Sequence, residues 1–307
     1  MRIAIVGSGA MGSLFGGKLS LAGHDVVLYD VYREHVDAIA SAGLAIEEAA
    51  TGAVTVARPR ASADPRAVAD AEALIIFVKS TATEDAAAQF SGIASPTAIV
   101  LTLQNGLGNE EIIRAHFGAE RTAAGVTSQG ATFLGPGRIR HAGAGPTHMS
   151  MSDGSTGRLT ALAEALTGSG FETHVEKDVS GLIWSKLVIN VGINALTALT
   201  AQTNGRLLES EETQSLVEDL VNEAVAVARA RGINLSYPDP IGRVKEVARM
   251  TGANRSSMLQ DFDRKRPSEI DFMNGAIVRE AAKLGIAAPV NATITRLVKA
   301  VEKARQE

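Results

Sequence analysis

The chain has 307 residues, which at roughly 150 residues per domain predicts about two domains, each able to bury a core. Thirty Lys and Arg against 34 Asp and Glu leave a net charge of −4, with no basic excess to neutralise a phosphate backbone, so no nucleic-acid partner is expected. The absence of cysteine removes disulfides, iron–sulfur clusters, thiolate zinc sites and a thiol nucleophile, and the six histidines form no i, i+4 pair, so no metal is expected.

Met1 and Arg2 lead at once into Ile3-Ala4-Ile5-Val6, which reads as a buried strand with no apolar export segment before it. The expected location is the cytoplasm. Apolar runs such as Ala73 to Val78 stay far below the roughly 18 residues that span a bilayer, so no membrane partner is expected. The strand is followed by an amphipathic helix from Gly9 to Ala22 and a second strand from Asp25 to Tyr29, a βαβ unit that builds parallel sheet.

At the first junction stands Gly7-Ser8-Gly9-Ala10-Met11-Gly12, the G-x-G-x-x-G pattern of dinucleotide binding. Gly7 makes the tight turn, Gly9 lets backbone approach a pyrophosphate, Gly12 packs helix on strand, and the helix N-terminus offers partial positive charge. Such turns also serve as plain strand-to-helix connections; the βαβ context favours the cofactor reading. Asp30 follows the second strand, eighteen positions beyond Gly12, where a carboxylate would bond the adenosine ribose hydroxyls and repel a 2′-phosphate. NAD(H) is therefore favoured, although Arg33 could instead reach a 2′-phosphate and Asp30 could be a loop acid that starts a turn.

Leu74 to Val78 and Ala98 to Leu103 read as further buried strands. From Thr122 to Met151, strand-like pieces punctuated by Gly135-Pro136-Gly137 and Gly143-Ala144-Gly145-Pro146 read as hairpins at the sheet's far edge. A helix near Thr156 to Thr167 and a strand near Phe171 to Val175 follow. Beyond them every segment has helical periodicity, including Glu212 to Arg231, Asp239 to Met250, Glu269 to Leu284 and Asn291 to Arg305. The expected fold is α/β, a doubly wound sheet over residues 1–177 joined to an all-helical domain over 178–307. Its apolar helices suit a core or a homodimer interface equally.

The segment from Gly181 to Leu199 is apolar around almost its whole circumference, except that Lys186, Asn190 and Asn194 share one face at i, i+4, i+8. Such a stripe lines a wet cleft, meets a polar ligand, forms a buried hydrogen-bond network, or marks an edge of the helix that reaches solvent. Further on, Ser268 and Asp271 have capping-box spacing, which would make Glu269 an ordinary acid in a first helical turn, with Gly285 closing the same helix.

Together these segments resemble the ketopantoate reductase (2-dehydropantoate 2-reductase) family over nearly the whole chain. The anchors are GSGAMG at 7–12, VKS around Lys79, QNGLGNEE at 104–111, WSKLVINVGINALTAL at 184–199 and RSSMLQDFDRKRPSEIDFMNG at 255–275. The resemblance implies an N-terminal Rossmann domain, a helical substrate domain, and reduction of a small 2-oxo acid. It implies Lys186 as the general acid and Glu269 as the carboxylate that pairs with it and orients the substrate. Asn190, Asn194 and Ser257 would hold the substrate, Asn105 would lie by the nicotinamide and the lysine, and Lys79 near the cofactor. Lys79 alone could also be a surface lysine at a strand end.

Many family members carry a basic residue where this chain has Asp30-Val31, and NADP(H) is their usual cofactor. The same fold includes NAD-dependent reductases of branched or aromatic 2-oxo acids of the D-mandelate dehydrogenase type, which an acid there also suits. A nucleotide-binding protein without catalysis would have no need of the Lys186, Asn190, Asn194, Ser257 and Glu269 set.

Overall fold

The computed structural model describes residues 1–306 and divides into two compact units. The first comprises Met1–Gln104 and Asn109–Val179; the second comprises Ser180–Glu307 and the short turn Asn105–Gly108, which chain order alone would assign to the first domain.

In chain order the first unit contains β1 (Arg2–Val6), α1 (Ala10–Leu21), β2 (Asp25–Tyr29), α2 (Arg33–Ala42), β3 (Leu44–Glu48), β4 (Val54–Ala57), β5 (Arg60–Ser62), β6 (Ala73–Ile76) and α3 (Thr83–Ser91). It continues through β7 (Ile99–Thr102), α4 (Asn109–Phe117), β8 (Thr122–Thr127), β9 (Gly130–Gly135), β10 (Arg138–Gly143), β11 (Thr147–Met151), α5 (Thr160–Gly168) and β12 (Thr173–Val175).

Eight strands form the main sheet in the order β12-β11-β8-β7-β6-β1-β2-β5, parallel except where β11 meets β8. Burial on both faces explains the unbroken apolar runs. Ile3 and Ile5 of β1 pack with Leu14, Phe15 and Phe171 on one face, while Ala4 and Val6 pack with Phe90 and Ile113 on the other.

The region from Thr122 to Met151 is not simply the sheet's far edge. β8 and β11 extend the main sheet, whereas β9 and β10 leave it to join β3 and β4 in a second sheet of order β4-β3-β10-β9. Its central pairing is parallel, Ile139 opposite Ile46, and helix α1 lies between the two sheets. Adjacent glycines serve the two sides. A Cβ on Gly16 would run into Leu28 of β2, and one on Gly17 would come within 2.7 Å of Ile46 of β3. A helix surrounded in this way is buried without interruption from Gly12 to Gly17, with Leu19 buried beyond them.

The second unit holds α6 (Ser180–Thr200), α7 (Glu211–Ala230), α8 (Pro240–Met250), α9 (Ser257–Asp263), α10 (Asn274–Lys283) and α11 (Pro289–Gln306). Helix α6 is long and apolar enough to cross a bilayer, but Trp184, Leu187, Val188, Val191, Leu196 and their neighbours are buried within this unit's own core. Glu223 of α7 fastens α11 by accepting the Val290 and Asn291 amides at 2.8 and 2.9 Å, a carboxylate at a helix start.

The expected helix from Glu269 to Leu284 is broken. A single 3₁₀ turn, Ile270–Phe272, precedes a kink at Met273 (ψ −101°), and α10 begins only at Asn274. No capping box forms: Asp271 pairs with Lys299 at 2.6 Å, and Ser268 Oγ accepts the Ile270 amide at 3.3 Å. Gly285 does end α10, with φ +66° and the Ile286 amide bonded to the Ala281 carbonyl.

Candidate active site

In the first unit β1 lies between β2 and β6, so the chain departs from it in opposite directions. The carboxyl ends of strands at such a switch point are where open α/β sheets receive ligands. Gly7, Asp30 and Lys79 follow those three strands. Gly7 adopts φ +93°, and a Cβ there would lie 2.5 Å from the Val78 nitrogen; a Cβ on Gly12 would run into the Gly7 carbonyl. Gly9 differs, because nothing lies within 4 Å of its Cβ position. It is also the N-cap of α1, with no side chain bonding the helix's first amides. Ser8, Ala10 and Met11 complete this turn, whose open side and uncapped helix end suit a pyrophosphate.

Asp30 closes the turn from the side. Its Oδ2 accepts the Ser8 amide at 2.7 Å and the Ser8 hydroxyl at 3.2 Å, and its Oδ1 accepts the Tyr32 amide at 2.9 Å. A carboxylate offers about four lone-pair positions, so acceptor capacity remains for a ribose hydroxyl. The exposed Arg33 lines an open groove with Asp37 and with Asp64, which pairs with Arg66 at 2.7 Å.

Lys79 is exposed at the head of the 3₁₀ turn Ser80–Ala82. Behind it, four residues without an assigned role, Gln104, Thr83, Asn109 and Ser80, organise this connection. Gln104 donates to the Val78 carbonyl at 2.7 Å and to Thr83 Oγ1 at 2.8 Å; Thr83 donates to Asn109 Oδ1 at 2.8 Å, and Asn109 donates to Ser80 Oγ at 3.1 Å. Their spacing around the QNG turn carries no signal for this clamp, which depends on partners more than twenty residues away.

In the second unit, Lys186, Asn190 and Asn194 lie along α6, the first two partly exposed and the third buried. Surrounding protein strips water from the Lys186 ammonium and lowers its pKa from 10.5 to about 8. The backbone beneath is rigid, since Ser185 accepts the Tyr237 hydroxyl on its carbonyl (2.6 Å) and the Ser236 amide on its hydroxyl (2.8 Å). Asn194 Nδ2 reaches Ser257 Oγ at 3.4 Å and Met273 Sδ at 3.5 Å. Ser256, rather than Ser257, caps α9, bonding the Leu259 amide at 3.1 Å and Thr197 at 2.7 Å. The Ser257 hydroxyl is thereby left on the Asn194 side.

Glu269 is 6% exposed at the start of the 3₁₀ turn. The turn Asn105–Gly108 docks on the end of that element, the Leu107 amide donating to the Phe272 carbonyl at 2.8 Å. Gly106 makes the approach possible, with φ +89° and a Cβ position 2.5 Å from that same carbonyl oxygen. Gly106→Ala is expected to destabilise the second unit by about 1–3 kcal/mol, from a strained backbone plus the clash. Equilibrium denaturation checks this, and unchanged stability would contradict the close packing described.

Residues 3–154 match the family described as "Ketopantoate reductase PanE/ApbA", and residues 178–302 match its C-terminal part. The chain is 37% identical over 304 residues to a 2-dehydropantoate 2-reductase of Halobacterium salinarum, covering 99% of each. Among solved structures it resembles a PanE/ApbA family ketopantoate reductase from Ralstonia eutropha JMP134 at 35% identity, TM-score 0.92 and full coverage of both chains. It also resembles D-mandelate dehydrogenase, solved with NADH and anilino(oxo)acetate, at 30% identity, TM-score 0.92 and full coverage of both chains.

Proposed function

Because the chain belongs to the ketopantoate reductase family of oxidoreductases, we propose that it reduces 2-dehydropantoate to pantoate with a pyridine nucleotide, a step of pantothenate and coenzyme A synthesis. The observation that carries this reading is the partly desolvated Lys186 on an otherwise apolar helix, in a chain end-to-end similar to 2-dehydropantoate 2-reductases.

The Gly7–Gly12 turn, Asp30 and Lys79 would hold the cofactor. When bound, the nicotinamide supplies a hydride to the keto carbon. Lys186 then stabilises the negative charge growing on the keto oxygen and delivers a proton from Nζ. Asn190, Asn194 and Ser257 offer amide and hydroxyl groups for the substrate's carboxylate and hydroxyl, and Glu269 orients the lysine and substrate. Asn105 lies in the turn seated on Phe272, and its amide suits a position beside the nicotinamide and the lysine.

A pKa near 8 suits an acid that works close to neutrality. The ammonium is present below that pKa and lost above it. Reductive kcat/KM is therefore expected to be flat at lower pH and to fall about tenfold per unit above pH 8, while oxidation, which needs the free amine, rises over the same range. A reductive profile with no descending limb between pH 8 and 10 would remove Lys186 from the acid's role.

Asp30 and the likeness to an NADH-bound D-mandelate dehydrogenase favour a second reading, an NAD-dependent reductase of another branched or aromatic 2-oxo acid. A matrix of 2-oxo acids against NADH and NADPH separates the two. The first reading expects the highest kcat/KM on 2-dehydropantoate; negligible activity there beside high activity on an aromatic 2-oxo acid would retire it.

A further inference from the structure

Ser13, in the first turn of α1, and His35, on α2, lie outside every role assigned above, yet both are sealed from solvent at 0% and 1% exposure. The Gly137 amide, in the turn between β9 and β10, donates to His35 Nδ1 at 3.0 Å. A backbone amide can only donate, so Nδ1 is the acceptor and the ring proton sits on Nε2, 3.0 Å from Ser13 Oγ. With that bond received, the Ser13 hydroxyl donates to the Ser8 carbonyl at 2.6 Å. Every donor in the series has one acceptor, which fixes its direction from Gly137 through His35 and Ser13 to Ser8. Burial lowers the His35 pKa against the pull of nearby Asp30, in keeping with a neutral ring.

The end of the series is the middle of the glycine-rich turn. The Ser8 carbonyl and the Gly9 amide share one planar trans peptide and point in opposite directions. Drawing the carbonyl inward to Ser13 therefore turns the Gly9 N–H outward, at the residue whose Cβ position has nothing within 4 Å. Asp30 holds the other side of Ser8 through its amide and hydroxyl, so that residue is gripped from both ends.

We infer that His35 and Ser13 are positioning residues that fix the Gly9 amide as a donor to the nucleotide's pyrophosphate. The inference rests on the reading that this turn binds a dinucleotide, and it adds the β9–β10 turn as the fixed origin of the orientation.

The test is NADH binding by fluorescence titration, with thermal stability followed in parallel, for the wild type, Ser13→Ala, His35→Asn and His35→Gln. A glutamine amide overlays Nε2 and can still donate to Ser13; an asparagine amide overlays Nδ1 and cannot reach it. Ser13→Ala and His35→Asn are expected to weaken NADH about tenfold, the loss falling on KM for NADH rather than on KM for the 2-oxo acid. His35→Gln is expected to stay within about threefold of the wild type, whatever the thermal stabilities. Wild-type affinity in Ser13→Ala, or a loss in His35→Gln equal to that in His35→Asn, would overturn the inference. A wild-type protein that binds neither NADH nor NADPH would overturn the dinucleotide reading itself.

Discussion

Lys186→Met is expected to abolish reduction while leaving the protein folded and still able to bind NADH. Removal of a positioned general acid lowers the rate by about 10²–10⁴-fold. In the proposed role the same ammonium also carries the electrostatic stabilisation of the developing alkoxide, so the expected loss in kcat lies at or above the top of that range. The same group also makes stability depend on pH. The folded state holds the Lys186 pKa near 8 against 10.5 in the unfolded chain, so between these values the unfolded chain binds more protons and stability rises with pH. Below pH 8 the desolvation penalty of the ammonium is fully present, and methionine, of similar length and without charge, removes this pH dependence. The thermal stability of the wild type relative to the variant is therefore expected to rise between pH 8 and pH 10. Substantial turnover by Lys186→Met, or loss of NADH binding alongside turnover, would contradict the assignment.

The second large effect concerns the cofactor. NADH is expected to exceed NADPH in kcat/KM by at least about tenfold, because unit charges about 5 Å apart repel by roughly 3 kcal/mol at an effective dielectric near 20. A 2′-phosphate beside Asp30 would meet that repulsion. Asp30→Asn keeps an oxygen acceptor for the Ser8 amide and removes the charge. It is expected to raise kcat/KM with NADPH about tenfold while lowering that with NADH only a few-fold. A wild-type preference for NADPH would sink this proposal.

The elements that position these residues are legible in the sequence to the extent that their signals are local. Gly7, Gly9 and Gly12 announce a strand-to-helix turn within six residues, and the Lys186, Asn190, Asn194 stripe follows from helical periodicity on an apolar segment. The small sheet is not legible. Its central pair, Ile46 with Ile139, joins strands of five and six residues from distant parts of the chain, so neither strand carries a pattern that names its partner. The local spacing around Glu269 misleads for a related reason. Ser268 and Asp271 are three apart as a capping box requires, but the Phe272 carbonyl is already taken by Leu107 from a turn more than 160 positions earlier, and the chain kinks at Met273 instead of continuing as helix. The Ser13–His35 series leaves no local mark either, since the ring's acceptor role depends on an amide 102 positions away.

The glycines at 16 and 17 carry a signal of a different kind. In a helix roofed on one side by solvent, a glycine pair would be a liability of about 1 kcal/mol per residue relative to alanine. Here each opens a seat for a side chain from a different sheet. A paired glycine four and five positions past the last glycine of the fingerprint therefore extends the motif to G-x-G-x-x-G-x-x-x-G-G. Among dinucleotide-binding proteins, that longer signature is expected to separate chains whose first helix carries a second sheet from those whose first helix faces water.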